Sequence, residues 1–281
     1  MRVLVTGAAG QLGVDLVRHC RAVGDDVTAA DRAQLDVADR SAVHGAISTL
    51  RPEIVVNVAA WTAVDACEGD HERARRVNTL GPRWLREATS DVGAHLVQLS
   101  TDYVFDGTLD RPYHEWDDPN PQSVYGATKL AGEREAGADA TVVRTSWVCG
   151  ANGNNMVKTI LRMLPERRSF TFVDDQRGCP TFTADLAPMV RRLAIERRAG
   201  VYHVTNQGAV SWFEFVQSIV AEAGHDPAIV EPIATADLDP PRPASRPANS
   251  VLDNAALRLA DVPLLRHHRE PLRELVSHLL G

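Results

Sequence analysis

Arg2-Val-Leu-Val-Thr6 runs directly into Gly7-Ala-Ala-Gly10-Gln-Leu-Gly13 at the head of this 281-residue chain. The apolar run has the length and composition of a strand buried on both faces of a parallel sheet. The glycine-rich turn after it, with Leu12, Leu16 and Val17 at helical spacing, offers backbone N–H groups and a helix N-terminus to a pyrophosphate. Its G-x-x-G-x-x-G spacing differs from the better-known G-x-G-x-x-G, and either pattern alone is weak. Its place after a first strand gives it weight. A second strand, Asp26-Val-Thr-Ala-Ala30, ends at Asp31, about twenty residues beyond the turn, where a carboxylate commonly binds the adenosine ribose. That acid repels a 2′-phosphate and leans toward NADH, whereas the adjacent Arg32 can accept one. NADPH and NADH both stay open as the cofactor.

Working outward, the alternation of strands and helices continues. Ile54-Val-Val-Asn-Val58 reads as a third strand, residues 71–90 as a helix, Ala94-His-Leu-Val-Gln-Leu99 as a fourth strand and Ala140-Thr-Val-Val-Arg144 as a fifth. The expected class is α/β: a Rossmann-type doubly wound parallel sheet over residues 1–146 with a smaller C-terminal substrate-binding lobe, mainly 147–281. In the lobe, Asn152-Gly-Asn-Asn155 caps a helix and Phe170-Thr-Phe-Val173 resembles an isolated strand. Residues near 180–205, with Gly200-Val-Tyr-His-Val204, are expected to return to the sheet.

Composition narrows the function. A net charge of −7 without a basic stripe argues against nucleic acid as a partner. No 18-residue apolar run occurs and the N-terminus enters a strand at once, so neither a membrane partner nor a signal peptide is expected, and the cytoplasm is the default location. Cys20, Cys67, Cys149 and Cys179 lack C-x-x-C spacing and read as free thiols. The ten histidines form no ligand cluster, so no metal site is expected.

The chemistry is carried by Tyr125 and Lys129, four residues apart in a chain with four tyrosines and two lysines. Random placement gives that spacing about 3% of the time. On a helix the two share a face, and the ammonium is expected to draw the phenol pKa down from about 10 toward neutrality. Such a phenol exchanges a proton with a carbonyl or alcohol oxygen, the work of a ketone reductase. The plainer alternative is a surface contact on an ordinary helix. Ser100-Thr-Asp-Tyr-Val-Phe-Asp-Gly107 follows the fourth strand, at the sheet end where ligands bind, and places Thr101 to hydrogen-bond the reacting oxygen.

These residues, together with Asn57-Val-Ala-Ala-Trp-Thr-Ala-Val-Asp65, Val124-Tyr-Gly-Ala-Thr-Lys-Leu-Ala-Gly-Glu133, Arg144-Thr-Ser-Trp-Val148, Asp175-Gln-Arg-Gly-Cys-Pro-Thr181 and Arg246-Pro-Ala-Asn-Ser250, resemble the dTDP-4-dehydrorhamnose reductase family of extended short-chain dehydrogenases/reductases along nearly the whole chain. The resemblance implies that the Gly7 turn, through Gly10, Gln11 and Leu12, contacts the dinucleotide phosphates and Asp31 the ribose. It implies that Asp36 and Val37 flank the adenine, that Ala60, Trp61 and Thr62 line the path to the nicotinamide, and that Thr101, Asp102 and Trp147 meet the sugar. Tyr125 and Lys129 would serve both cofactor and catalysis. The substrate implied is a dTDP-linked 4-keto-6-deoxyhexose, and a homodimer is left open. Trp61 stands where a smaller or more polar residue is expected. Trp147 has a competing reading as a core aromatic, Asp36 as a turn residue, and Asn78 as a buried amide rather than part of a water relay.

Three rival functions remain at this level. A 4,6-dehydratase of the same fold would want an Asp-Glu pair after Thr101, but Asp102 is followed by Tyr103. A non-catalytic regulatory subunit of this fold sits poorly with an intact Thr101, Tyr125 and Lys129. A 4-ketoreductase making another deoxysugar for a secondary metabolite is excluded by no residue.

Overall fold

The computed structural model describes all 281 residues. Six strands form one wholly parallel sheet: β1 (Arg2–Thr6), β2 (Asp26–Ala30), β3 (Ile54–Asn57), β4 (His95–Thr101), β5 (Thr141–Thr145) and β6 (Gly200–His203). Their order across the sheet is β2-β1-β3-β4-β5-β6. The chain steps from β1 to β2 on one side and then to β3 on the other, so a crevice opens at the carboxyl ends of β1 and β3, where such sheets place ligands.

The central strands are buried along their length, as an apolar parallel strand requires. One polar ladder crosses them. The Thr6 hydroxyl donates to Asn57 Oδ1 at 2.6 Å, Asn57 Nδ2 donates to Gln98 Oε1 at 2.7 Å, and Gln98 Nε2 donates to the Leu99 carbonyl at 2.7 Å. Fully paired, these groups fix the relative register of the strand ends that carry the loops above them.

Helices cover both faces. Gln11–Ala22 and Thr183–Ile195 pack on one through Leu12, Leu16, Leu186, Val190 and Leu193, while Arg40–Leu50 and Gly81–Val92 pack on the other through Val43, Ile47 and Leu85. A separate core gathers Val157, Ile160, Phe215, Ile219 and Leu272 from the C-terminal helices Met156–Met163, Trp212–Glu222 and Arg269–Leu280, with Phe182 from the short strand Thr181–Phe182.

Three details differ from the sequence reading. Phe170–Val173 is not isolated; it pairs in parallel with Val230–Ile233 in the lobe. Leu257, Val262 and Leu265, expected in the lobe, are buried with Val3, Val5 and Leu16 in the sheet's own core. The helix expected over 71–90 runs through a π-helical turn, Arg76–Leu80, between His71–Arg75 and Gly81–Val92. The extra residue of that turn brings the buried Asn78 amide onto the Trp61 backbone, where it accepts from Trp61 N at 2.8 Å and donates to Trp61 O at 3.1 Å. With a further bond to Thr128 Oγ1 at 3.3 Å, Asn78 is a satisfied buried amide.

Candidate active site

The glycine turn is shaped for close backbone approach. Gly7 has φ +67°, and a Cβ there would lie 2.7 Å from Ala59 N, while a Cβ on Gly13 would lie 2.3 Å from Gly7 O. Helix Gln11–Ala22 begins at Gly10 with no side-chain cap, so its first N–H groups are left for an external acceptor. These features fit a dinucleotide pyrophosphate. From the lobe, Asn155 Nδ2 donates to Gln11 Oε1 at 2.9 Å, bringing the loop with Gly153 and Asn154 over this turn.

Two adjoining chambers meet at Gly10, Val58 and Ala60. The first, about 340 Å³, is lined by Gly7, Asp31, Arg32, Asp36 and Val37 among others, and so brings together the residues expected at the ribose and adenine; Trp61, expected on the path to the nicotinamide, lines this chamber and not the second. Asp31 Oδ1 accepts from Ala33 N at 2.9 Å and Gln34 N at 3.0 Å, which holds the carboxylate at the rim. Asp36 combines both of its readings: it lines the chamber, and it is a turn residue whose Oδ1 accepts from Ala38 N at 2.9 Å.

The second chamber, about 570 Å³, brings together Gln11, Leu12, Ala60, Thr62, Thr101, Asp102, Tyr125, Lys129 and Trp147. Thr101 ends β4, and its hydroxyl donates to Asp102 Oδ1 at 2.9 Å. Ser123 caps the helix Val124–Ala136, accepting from Gly126 N at 3.1 Å, and that helix carries Tyr125 and Lys129. Lys129 is 4% exposed, and its Nζ donates to the Leu99 carbonyl at 2.5 Å.

The electrostatics of this chamber correct one expectation. Burial pushes the Tyr125 phenol up rather than down, the hydrogen bond with Thr101 only partly opposing it. Burial also pulls Lys129 down to about 8, against the attraction of Glu133. The cost of removing charge from water outweighs the expected help from the ammonium. A neutral phenol is the form that donates a proton. Asp102 is pushed up to about 6, chiefly by burial and against the hydrogen bond from Thr101, and its Oδ2 is buried without a partner.

Trp147 adopts φ +45°, uncommon for a bulky residue, and its indole stacks on Trp212 with centroids 3.6 Å apart and planes 10° apart. A Cβ on Gly178 would lie 2.5 Å from Trp147 Cε2, so the glycine makes room for the ring. Both indoles line the chamber. Trp147 is thus a wall residue and a packed aromatic at once, with one face covered by a neighbour. Trp212 escaped the sequence reading because it sits in the apolar run Trp212-Phe-Glu-Phe-Val216. The available signal was the capping box of Ser211 and Glu214, which puts Trp212 at a helix mouth rather than mid-core. Asp65 and Arg246 were also missed as a pair. They form a two-pronged ion pair at 2.7 Å that joins the 244–248 segment to the first turn of the helix Val64–Gly69.

A phosphate-binding turn on a parallel sheet, with Thr, Tyr and Lys gathered beyond it and a lobe closing over them, defines the class: an extended short-chain dehydrogenase/reductase, an NAD(P)H-dependent oxidoreductase. The family profile described as the RmlD substrate binding domain matches residues 1–280. The chain belongs to the dTDP-4-dehydrorhamnose reductase family. It is 45% identical to the dTDP-4-dehydrorhamnose reductase of Streptomyces griseus, over 100% of this chain and 94% of that protein. It is 42% identical to a probable dTDP-4,6-dihydroxy-2-methyloxan-3-one 4-ketoreductase of Streptomyces antibioticus, over 100% and 96%. The crystal structure of Bacillus anthracis dTDP-4-dehydrorhamnose reductase in complex with NADP matches with a TM-score of 0.94 at 37% identity, covering 99% of each chain. No helix here is long and apolar enough to cross a membrane, and no His, Cys, Asp and Glu side chains group to hold a metal.

Proposed function

We propose that this protein reduces the C4 ketone of a dTDP-linked 4-keto-6-deoxyhexose, with dTDP-4-dehydrorhamnose as substrate and dTDP-L-rhamnose as product. The observation that carries the reading is the convergence of Thr101, Tyr125 and Lys129 on one chamber joined to the glycine turn. The reduced nicotinamide supplies a hydride to C4. Tyr125, held neutral by burial, gives its proton to the oxygen of the reduced carbon. Thr101 hydrogen-bonds that oxygen and the phenol, and Lys129 offers its ammonium to the cofactor ribose and to the field around Tyr125. The Leu99 carbonyl fixes the position of Lys129, so the field is set before substrate enters. Trp147 and Trp212 give the deoxysugar an apolar wall, and Asp102 a polar partner.

A second reading, a 4-ketoreductase with a different deoxysugar product, is favoured by the likeness to the Streptomyces antibioticus protein. Purified protein assayed with dTDP-4-keto-6-deoxy-L-mannose and its epimers, with product configuration read by NMR, separates the two. Turnover of that substrate to the L-rhamno product supports the first. Turnover of an epimer alone supports the second.

A further inference from the structure

We propose that Arg73 and Arg32 together grip the 2′-phosphate of NADPH, and that Trp61 holds Arg73 in place to do so. This rests on the dinucleotide reading of the first chamber and adds a residue that sets its cofactor specificity. The Arg73 guanidinium lies 4.4 Å above the centre of the Trp61 ring. Trp61 is itself pinned through both its backbone N and O by Asn78, so the stack has a fixed base. Arg73 makes no ion pair: the neighbouring Asp70 carboxylate caps the Arg73 backbone N–H at 3.0 Å, and Glu72 pairs with Arg75 at 3.3 Å. An arginine immobilised on an aromatic face with its charge unspent is set up for an anion that comes from outside the chain.

Arg73 shares the chamber with Asp31 and Arg32. It also lines, with Arg32, Arg76 and the carboxylates of Asp36, Asp70 and Glu72, an adjoining open cavity of about 520 Å³, where Glu72 is engaged by Arg75. Charge decides the outcome there. A 2′-phosphate brought beside the Asp31 carboxylate is repelled, and Arg32 is already partly offset by Asp36 at 3.5 Å. One half-neutralised guanidinium does not reverse that repulsion, whereas a second, unpaired one does. The role also accounts for Trp61, an indole at a place where a smaller or more polar side chain was expected.

The test is calorimetric titration with adenosine 2′,5′-bisphosphate and with 5′-AMP, which differ only in the 2′-phosphate. Arg73→Ala is expected to weaken the bisphosphate about tenfold or more while leaving 5′-AMP within about twofold. Arg32→Ala should do the same, and Trp61→Leu should give a smaller selective loss by releasing Arg73. Melting temperature on the same preparations reports the fold. Equal losses on both probes would mean that Arg73 stacks on adenine or supports the chamber, and would overturn the proposal. Unchanged bisphosphate affinity would overturn it too. Wild-type protein that binds neither probe would remove the dinucleotide reading itself, a result distinct from binding 5′-AMP without preference for the bisphosphate.

Discussion

Tyr125 and Asp102 share one chamber and are both held toward their protonated forms by the water they have lost. For Tyr125 this suits a proton donor. Tyr125→Phe is expected to retain dinucleotide affinity in a fluorescence titration and to lose about 10²- to 10⁴-fold in turnover of the keto sugar; wild-type turnover would rule out the assigned donor. For Asp102 the consequence is a pH-dependent stability. Its carboxyl titrates near 6 in the folded protein against an ordinary value of 3.8, so between those pH values the folded state keeps a proton that the unfolded state has released. Its contribution to stability therefore falls as pH rises through that window and stays low above about 6. Asp102→Asn is expected to be more stable than wild type at pH 7.5, by on the order of 2 kcal/mol, with the gain shrinking toward pH 4. Urea unfolding of both proteins at several pH values checks it, and a gain that does not change with pH would mean that folding leaves the Asp102 carboxyl at its ordinary value. The pairing of Tyr125 with Lys129 was legible because i and i+4 share a helix face. The direction of their shifts was not, since it depends on how deeply β4, the lobe and the Tyr103 ring bury them, which spacing does not encode.

At the scale of elements, the two-indole wall joins the strand-end bend at Trp147 to the first turn of the helix Trp212–Glu222. Each ring serves packing and binding together, so the single substitutions should not sort into one role or the other. Trp147→Ala and Trp212→Ala are each expected to lower stability by about 3 kcal/mol and to raise the KM for the sugar nucleotide. Their double-mutant cycle should show about 1 kcal/mol of coupling in unfolding free energy. A cycle with no coupling would mean that the stack contributes nothing beyond area. The sheet strands were readable because apolar runs bounded by glycine and polar loops have few other uses. The π-turn at Arg76–Leu80 was not, because its cause lies in the distant Trp61 backbone that Asn78 must reach. The pairing of Phe170–Val173 with Val230–Ile233 was hidden for the same reason: the partner strand is sixty residues away, and a four-residue run does not name its neighbour.

For the whole molecule, the chain leaves the nucleotide-binding sheet after β5 and comes back to it twice between the stretches that build the lobe. Helix Thr183–Ile195 and β6 complete one face and one edge of the sheet, and Leu257, Val262 and Leu265 close the core beneath β1. A fragment ending near residue 150 is therefore expected to bind no dinucleotide and to show no cooperative melting, although it contains the glycine turn, Asp31, Tyr125 and Lys129. Circular dichroism melts and a titration with NADPH on that fragment check it, and a cooperative transition would show that the first five strands suffice. The return also governs events during synthesis. Val3 and Val5 share their core with Leu257 and Val262, which are synthesised long after them. Until those partners emerge the core stays incomplete, and apolar surface remains open beside the helices that already cover β1. The order in which residues enter the core thus ties the growing chain's need for chaperone cover to the synthesis of Leu257, Val262 and Leu265.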